Sequence, residues 1–241
     1  MKTVNTLLVT LFLASSALAA DSATNQVSGA LAKLKNAANY SWTTTQVIPD
    51  MPFTSGPTKG KAEKGGYSLI SQEMGDNKIE AALKGDKIAL KNDTQWQLID
   101  DADGMAAMLG GWMTMYGTAD NQASTLIGGV SDLTAGENGL VTGTLTPEGA
   151  KALTTFRARG NAAQAAPVAK NAHGTVKFWV KDGALVKFES HTVSTMAMGD
   201  QGEQAFDVTR TTEISDVGTT KLDVPAEAKA KLDAKPAIAK P

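Results

Sequence analysis

Residues 174–217 read GTVKFWVKDGALVKFESHTVSTMAMGDQGEQAFDVTRTTEISDV, and their pattern decides the fold. Val176, Phe178 and Val180 alternate with Thr175, Lys177, Trp179 and Lys181, the period-two signature of a half-buried strand. Asp182-Gly183 then turns the chain, since a type I′ hairpin turn needs positive φ at both central residues and these two tolerate it. The return strand, Leu185 to Met196, starts with Val186 and Phe188 on one face and carries that face through Ser190, Thr192 and Ser194 to Met196. It is apolar at one end and hydroxylated at the other. Gly199-Asp200-Gln201-Gly202 makes the second turn. In the third strand, Gln204 to Val217, Phe206, Val208, Arg210, Thr212 and Ile214 share one side, while Ala205, Asp207, Thr209, Thr211 and Glu213 share the other. One face of this meander is wet and the other needs a cover.

The chain before it supplies strands and covers. Residues 1–19 have a basic start at Lys2, an apolar run from Leu7 to Leu13 and Ala17-Leu18-Ala19 before Ala20, the order expected of a secretory signal peptide cleaved after Ala19. From Ala23 to Asn39, Val27, Ala30, Leu31, Leu34 and Ala38 recur at helical spacing, with Lys33 and Lys35 left wet. Tyr40 to Ile48 reads as a strand, and Pro49, Pro52 and Pro57 mark a rim loop. Lys61–Met74, Lys78–Lys84, Lys87–Asn92 and Gln95–Ile99 read as four further strands separated by Gly, Asp and Asn turns. Asp100, Asp101 and Asp103 then suit the start of a helix. Met105, Met108, Leu109, Trp112, Met115 and Tyr116 lie on one broad face of that helix. Adaptable thioether side chains fit either a lid over a greasy ligand or a core filler. Asn121–Val130 is a weaker helical stretch, Gly139–Leu145 a short strand, and Thr146-Pro147-Glu148 a capped helix start with Ala150, Leu153, Thr154 and Phe156 inward. Residues 160–173 read as a surface linker, Lys221–Val224 as an edge segment, and 226–241 as a disordered tail that opens with a short helical turn.

Composition narrows the chemistry. A formal charge of -2 and three arginines, Arg157, Arg159 and Arg210, leave no basic patch for phosphate backbones, so nucleic acid is not an expected partner. The absence of cysteine removes thiol catalysis, disulfides, cysteine zinc sites and a lipid-modified cysteine. Past the leader no apolar run is long enough to span a bilayer as a helix. His173 and His191 lack the spacing of a zinc pair, and no phosphate loop or nucleophile elbow occurs. Placing Gly104 at the sixth position of a calcium loop puts Ile99 first and Gly110 twelfth, and neither can ligate. Glu189 and Glu213 fit an ordinary charged face. No catalytic set, metal site or cofactor site is expected, and the chain reads as a non-enzyme.

Four segments carry a family resemblance: LKGDKIALKNDTQWQL (83–98), TPEGAKAL (146–153), FWVKDGALVKF (178–188) and RTTEISDVGTTKLDVP (210–225). Together with the order of parts, they make the chain similar to the LolA/LppX-like periplasmic lipoprotein carriers and lipid-binding proteins. The resemblance implies an α+β fold over residues 20–225: a strongly curved antiparallel sheet, an incomplete β-barrel, with helices covering its concave face. It also implies a lipid or acyl-chain ligand in an apolar cavity, carried in the periplasm or outside the cell after leader removal. The resemblance implies, for the carrier branch, an arginine on an early strand that latches the lid, yet no arginine precedes Arg157 in this chain. Cavity residues are then expected at Met105, Met108, Leu109, Trp112, Met115 and Tyr116 opposite Phe178, Phe188, Phe206 and Val208. The alternative is a non-catalytic interaction module with a filled core, binding an envelope protein through its outer face or a strand edge.

Overall fold

In a computed structural model of the chain, residues 22–49, 56–74, 77–92, 94–101, 117–154, 169–197 and 202–234 are described. Their centre is an antiparallel sheet of eleven strands: β1 Asn39–Val47, β2 Thr58–Glu63, β3 Ser68–Met74, β4 Asn77–Lys84, β5 Lys87–Asn92, β6 Gln95–Leu98, β7 Val130–Ala135, β8 Leu140–Leu145, β9 Ala169–Lys181, β10 Ala184–Ala197 and β11 Glu203–Ser215. The helices are α1 (22–36), α2 Ala119–Gly128, α3 Pro147–Thr154 and α4 Ala226–Asp233. The strand order is β6-β5-β4-β3-β2-β1-β11-β10-β9-β8-β7. The first six strands therefore walk outward from the centre, and the last five walk inward from the opposite edge. The sheet is curved, as expected, and does not close into a barrel, because β6 and β7 remain unpaired with each other.

The central meander forms because its turn chemistry and its alternation agree. Asp182 and Gly183 both adopt positive φ, 52° and 70°, as a type I′ turn requires. Val176, Phe178 and Val180 are buried. The return strand differs from the even alternation expected of it. A bulge between Leu185 and Lys187 inserts Val186 as an extra residue, so Leu185 turns inward and Val186 stays exposed. Beyond it Phe188, Ser190, Thr192 and Ser194 are buried in alternation, as read from the sequence.

Other boundaries shift for local reasons. Residues 61–74 are two strands rather than one, since Gly65 takes φ 64° and turns the chain between β2 and β3. Val130 opens β7 instead of ending a helix, and residues 169–173, placed in a linker, are the first five of β9. Lys221–Val224 forms no strand. At α3, Thr146 Oγ1 accepts a 3.0 Å hydrogen bond from the Gly149 amide and Pro147 takes the first helical position, as the sequence implies.

Two apolar clusters lie on opposite faces. On the inner face Val27, Leu31 and Leu34 of α1, Ala123 and Leu126 of α2 and Ala150 of α3 pack with Trp42, Ile70, Leu90, Val141, Phe178 and Phe188. On the outer face Ala228 and Leu232 of α4 cover Ala82, Ala89 and Trp96. The helices thus do not all cover one face, and residues 226–233 are not a disordered tail. Lys87 Nζ, donating to the Leu232 and Ala234 carbonyls at 3.0 and 2.5 Å, satisfies the end of α4. Among the described residues no helix is long and apolar enough to cross a membrane.

Candidate functional site on the inner face

The inner face is built strand by strand from every second residue. Pairing across the sheet sets one continuous row: Ile79, Gln72, Thr58, Thr44, Thr212, Phe188, Phe178 and Val141, from β4 to β8. Its β8–β10 end is apolar, and its middle is made of neutral hydroxyls and an amide. Thr44, Thr58, Gln72, Ser190, Thr192, Ser194 and Thr212 are each at most 7% exposed, so this polar strip is as deeply covered as the core. At the inward positions of β1–β5 and β8–β11, Arg210 is the one charged side chain among the described residues.

Several of these groups hold the helices in place. Thr212 Oγ1 lies 2.8 Å from Thr44 Oγ1 and donates to Gln122 Oε1 of α2 at 3.0 Å. The start of α2 is fixed by Tyr40, whose hydroxyl donates to Asp120 Oδ1 at 2.5 Å. Burial first, and then this bond, raise the Tyr40 phenol far above its ordinary range. Arg210 Nε donates to Gln46 Oε1 at 2.7 Å, and its Nη1 donates to the Leu153 carbonyl of α3 at 3.2 Å. A cation at the C-terminal turn of a helix is favourable by charge as well as by hydrogen bonding. The sequence reading placed Arg210 on the inward side of its strand without giving it a role.

Of the expected cavity residues, Phe178 and Phe188 are paired neighbours in the packed core. Val208 is buried opposite Thr192, and half-buried Phe206 stands opposite Ser194. The four line one face of β9–β11 but in two groups, separated along β11 by Thr212 and Arg210. Met105, Met108, Leu109, Trp112, Met115 and Tyr116 lie outside the described residues. What sequence reading missed is the polar patch on β1–β3, hidden because 61–74 was taken as one strand. The signal was present in TKGKAE at 58–63, where Thr58, Gly60 and Ala62 are buried while Lys59, Lys61 and Glu63 are exposed.

On the outer face several charges pair with one another. Lys177 pairs with Glu189 at 2.8 Å, Lys170 with Glu203 at 2.7 Å, and His191 Nε2 lies 2.8 Å from Asp207. His173, exposed on β9, lies against the Asn171 carbonyl. Glu189 and Glu213 each face a lysine, so they act as ordinary strand-pair charges.

No protein-family model matches the sequence, and no curated protein matches it. Solved structures do show a likeness. Lipoprotein LppX from Mycobacterium tuberculosis superposes with a TM-score of 0.49 at 14% identity, covering 85% of this chain and 99% of that one. LprF from Mycobacterium bovis gives 0.44 at 9% identity, with 86% and 97% covered. A LolA superfamily protein from Nitrosomonas europaea gives 0.33 at 9% identity, with 83% and 94% covered. The likeness is to LolA/LppX-like structures.

Proposed function

We propose that this protein is a non-catalytic binder of a lipid or other acyl-chain ligand, held between the curved sheet and the helices of its inner face and passed on within the cell envelope. The observation that carries this reading is the size and chemistry of that face. It is eleven strands wide, uncharged over its centre apart from Arg210, and covered among the described residues by α1, α2 and α3. A concave, mostly apolar face with a few placed polar groups is the kind of surface that holds a small apolar ligand. Acyl burial contributes about 0.8 kcal/mol per methylene, enough to hold a long chain without any covalent step. Removal of residues 1–19 as a leader would place the protein in the periplasm or outside the cell. Met105, Met108, Leu109, Trp112, Met115 and Tyr116 would complete the cover opposite Phe178, Phe188, Phe206 and Val208.

The interaction-module alternative is less well supported at the sheet edges. At β6 the Trp96 amide donates to Glu227 Oε1 of α4 at 3.1 Å, so that edge is partly capped. At β7 the ladder is broken between Ser131 and Thr134, with Asp132 at φ 53°. Short, bulged or capped edges disfavour strand addition. The deciding experiment is native mass spectrometry of the mature protein from its own envelope, followed by organic extraction. A discrete adduct that extracts as an acyl species supports the carrier, and its uptake should disappear in Met108→Asp and Trp112→Asp variants that remain folded. A clean apo mass with no uptake of fluorescent fatty acid overturns it.

A further inference from the structure

Two buried polar groups on β1 and β3, the strands that flank β2, have no hydrogen-bond partner among the described residues: the indole Nε1–H of Trp42 and the amide Oε1 of Gln72. Trp42 is 1% exposed and Gln72 2%. Both are inward. Trp42 of β1 pairs with Gly60 of β2, and Gln72 of β3 pairs with Thr58 of the same β2 strand, two residues along from Gly60. The Trp42 ring lies over Gly60, where an added Cβ would fall 2.0 Å from its Cζ2, so β2 puts no side chain under the ring, while its Thr58 stands opposite Gln72. Asn39 Oδ1 and Ser194 Oγ are also unpartnered but stand apart, at the start of β1 and on β10.

Leaving a donor or an acceptor buried and unpaired costs about 1–3 kcal/mol each, so two such groups of opposite sense on either side of one strand call for a partner. One group is a pure donor and the other an acceptor. A chemical group that satisfies both must accept and donate at once, which a hydroxyl does and an ester oxygen or a methylene does not. It must also be neutral: no ionisable side chain faces this patch from β1, β2 or β3 apart from Tyr40, whose hydroxyl is committed to Asp120. We infer that Trp42 and Gln72 form a polar subsite for a hydroxyl carried on the hydrocarbon part of the ligand, so that the protein selects hydroxylated acyl chains over plain ones. This deepens the lipid-binding reading and rests on it.

The test uses delipidated full-length mature protein, with stearic acid and stearic acids hydroxylated at successive mid-chain carbons, each displacing a fluorescent fatty acid. The carboxylate is common to all, so headgroup effects cancel. A subsite at fixed depth should favour one hydroxyl position by about tenfold over stearic acid, as expected for two modest hydrogen bonds. Trp42→Phe and Gln72→Leu, which remove the donor and the acceptor respectively, should each narrow the preference for that ligand over stearic acid towards unity. Equal binding across the whole series, or a preference that survives both substitutions, overturns the subsite and leaves plain acyl binding intact. Failure of every probe to bind the folded protein removes the lipid reading itself, and the subsite with it.

Discussion

The hydroxyl of Tyr40, on the first strand, donates a 2.5 Å hydrogen bond to Asp120 in the first turn of α2, eighty residues later in the chain. The Asp120 amide in turn lies 3.4 Å from the same oxygen. A carboxylate near a helix start is favoured by the dipole, and the tyrosine supplies its second partner. This contact seats the helix whose Gln122 reaches Thr212 across the inner face.

Tyr40→Phe should therefore destabilise the protein by about 1–2 kcal/mol at neutral pH. It should also change the alkaline limb. The folded-state pKa of Tyr40 is raised above its unfolded value near 10, chiefly by burial, so its contribution is complete below pH 10 and is lost as pH rises beyond it. Denaturant melts between pH 9 and 12 should show a shallower decline for Tyr40→Phe. Parallel declines would mean that Tyr40 ionises freely in the folded state.

Gly60→Ala should be among the most damaging single-methyl additions in the sheet, because the new Cβ would meet the Trp42 ring at 2.0 Å. Overpacking of this kind costs about 1–3 kcal/mol. Adding Trp42→Ala should cost less than the sum of the two single changes, a coupling that urea unfolding of the four proteins would reveal.

Gly149→Ala tests the junction of α2 with α3. Its Cβ would lie 2.2 Å from the Gly129 carbonyl oxygen, which also accepts from the Thr146 amide at 2.9 Å. Neither partner is a flexible side chain, so the helices must separate. A loss of about 2 kcal/mol or more is expected in thermal or denaturant unfolding, and an unchanged midpoint would contradict the contact.

Leu232→Ala distinguishes a docked α4 from a loose tail. Leu232 is 2% exposed against Trp96 and its neighbours, and truncation there should cost about 2–4 kcal/mol. A free tail would show no change. Trp96 fluorescence should shift to the red as its cover loosens.

At acid pH the cluster on β4 gives a smaller signal. Glu80 accepts from Lys78 at 2.8 Å and Lys91 at 3.0 Å, and these bonds, Lys78 first, hold its carboxyl below the ordinary range. Its contribution is present above the unfolded pKa near 4.3 and is lost as pH falls through the lower folded value. The lysines are largely exposed, so screening keeps the effect small. Glu80→Gln should flatten the acid decline slightly at low salt and have no visible effect at high salt.

Much of the architecture was legible in the chain. Asp182-Gly183, the alternation on either side of it and Thr146-Pro147 each carry local information, since a turn type, a strand period and a helix cap are decided by neighbouring residues. The alternation of β10 also showed in advance that its inward face changes from Phe188 to Ser190, Thr192 and Ser194. The Val186 bulge did not show, because a one-residue slip depends on how the partner strand pairs. The division of residues 58–74 into β2 and β3, by contrast, was written locally in Gly65-Gly66, a turn signal that the reading of 61–74 as one strand passed over.

Sequence by itself determined the fold class, the central three-stranded meander, the lack of cysteine chemistry and the net charge. Only the tertiary structure decided that β11 closes on β1, that α4 covers the outer face, and that Trp42, Thr58 and Gln72 meet on one patch. Strand pairing and helix docking join residues far apart in the chain. Their energies depend on complementary surfaces that no local window contains, which is why the pattern of the inner face was readable strand by strand but its polar centre was not.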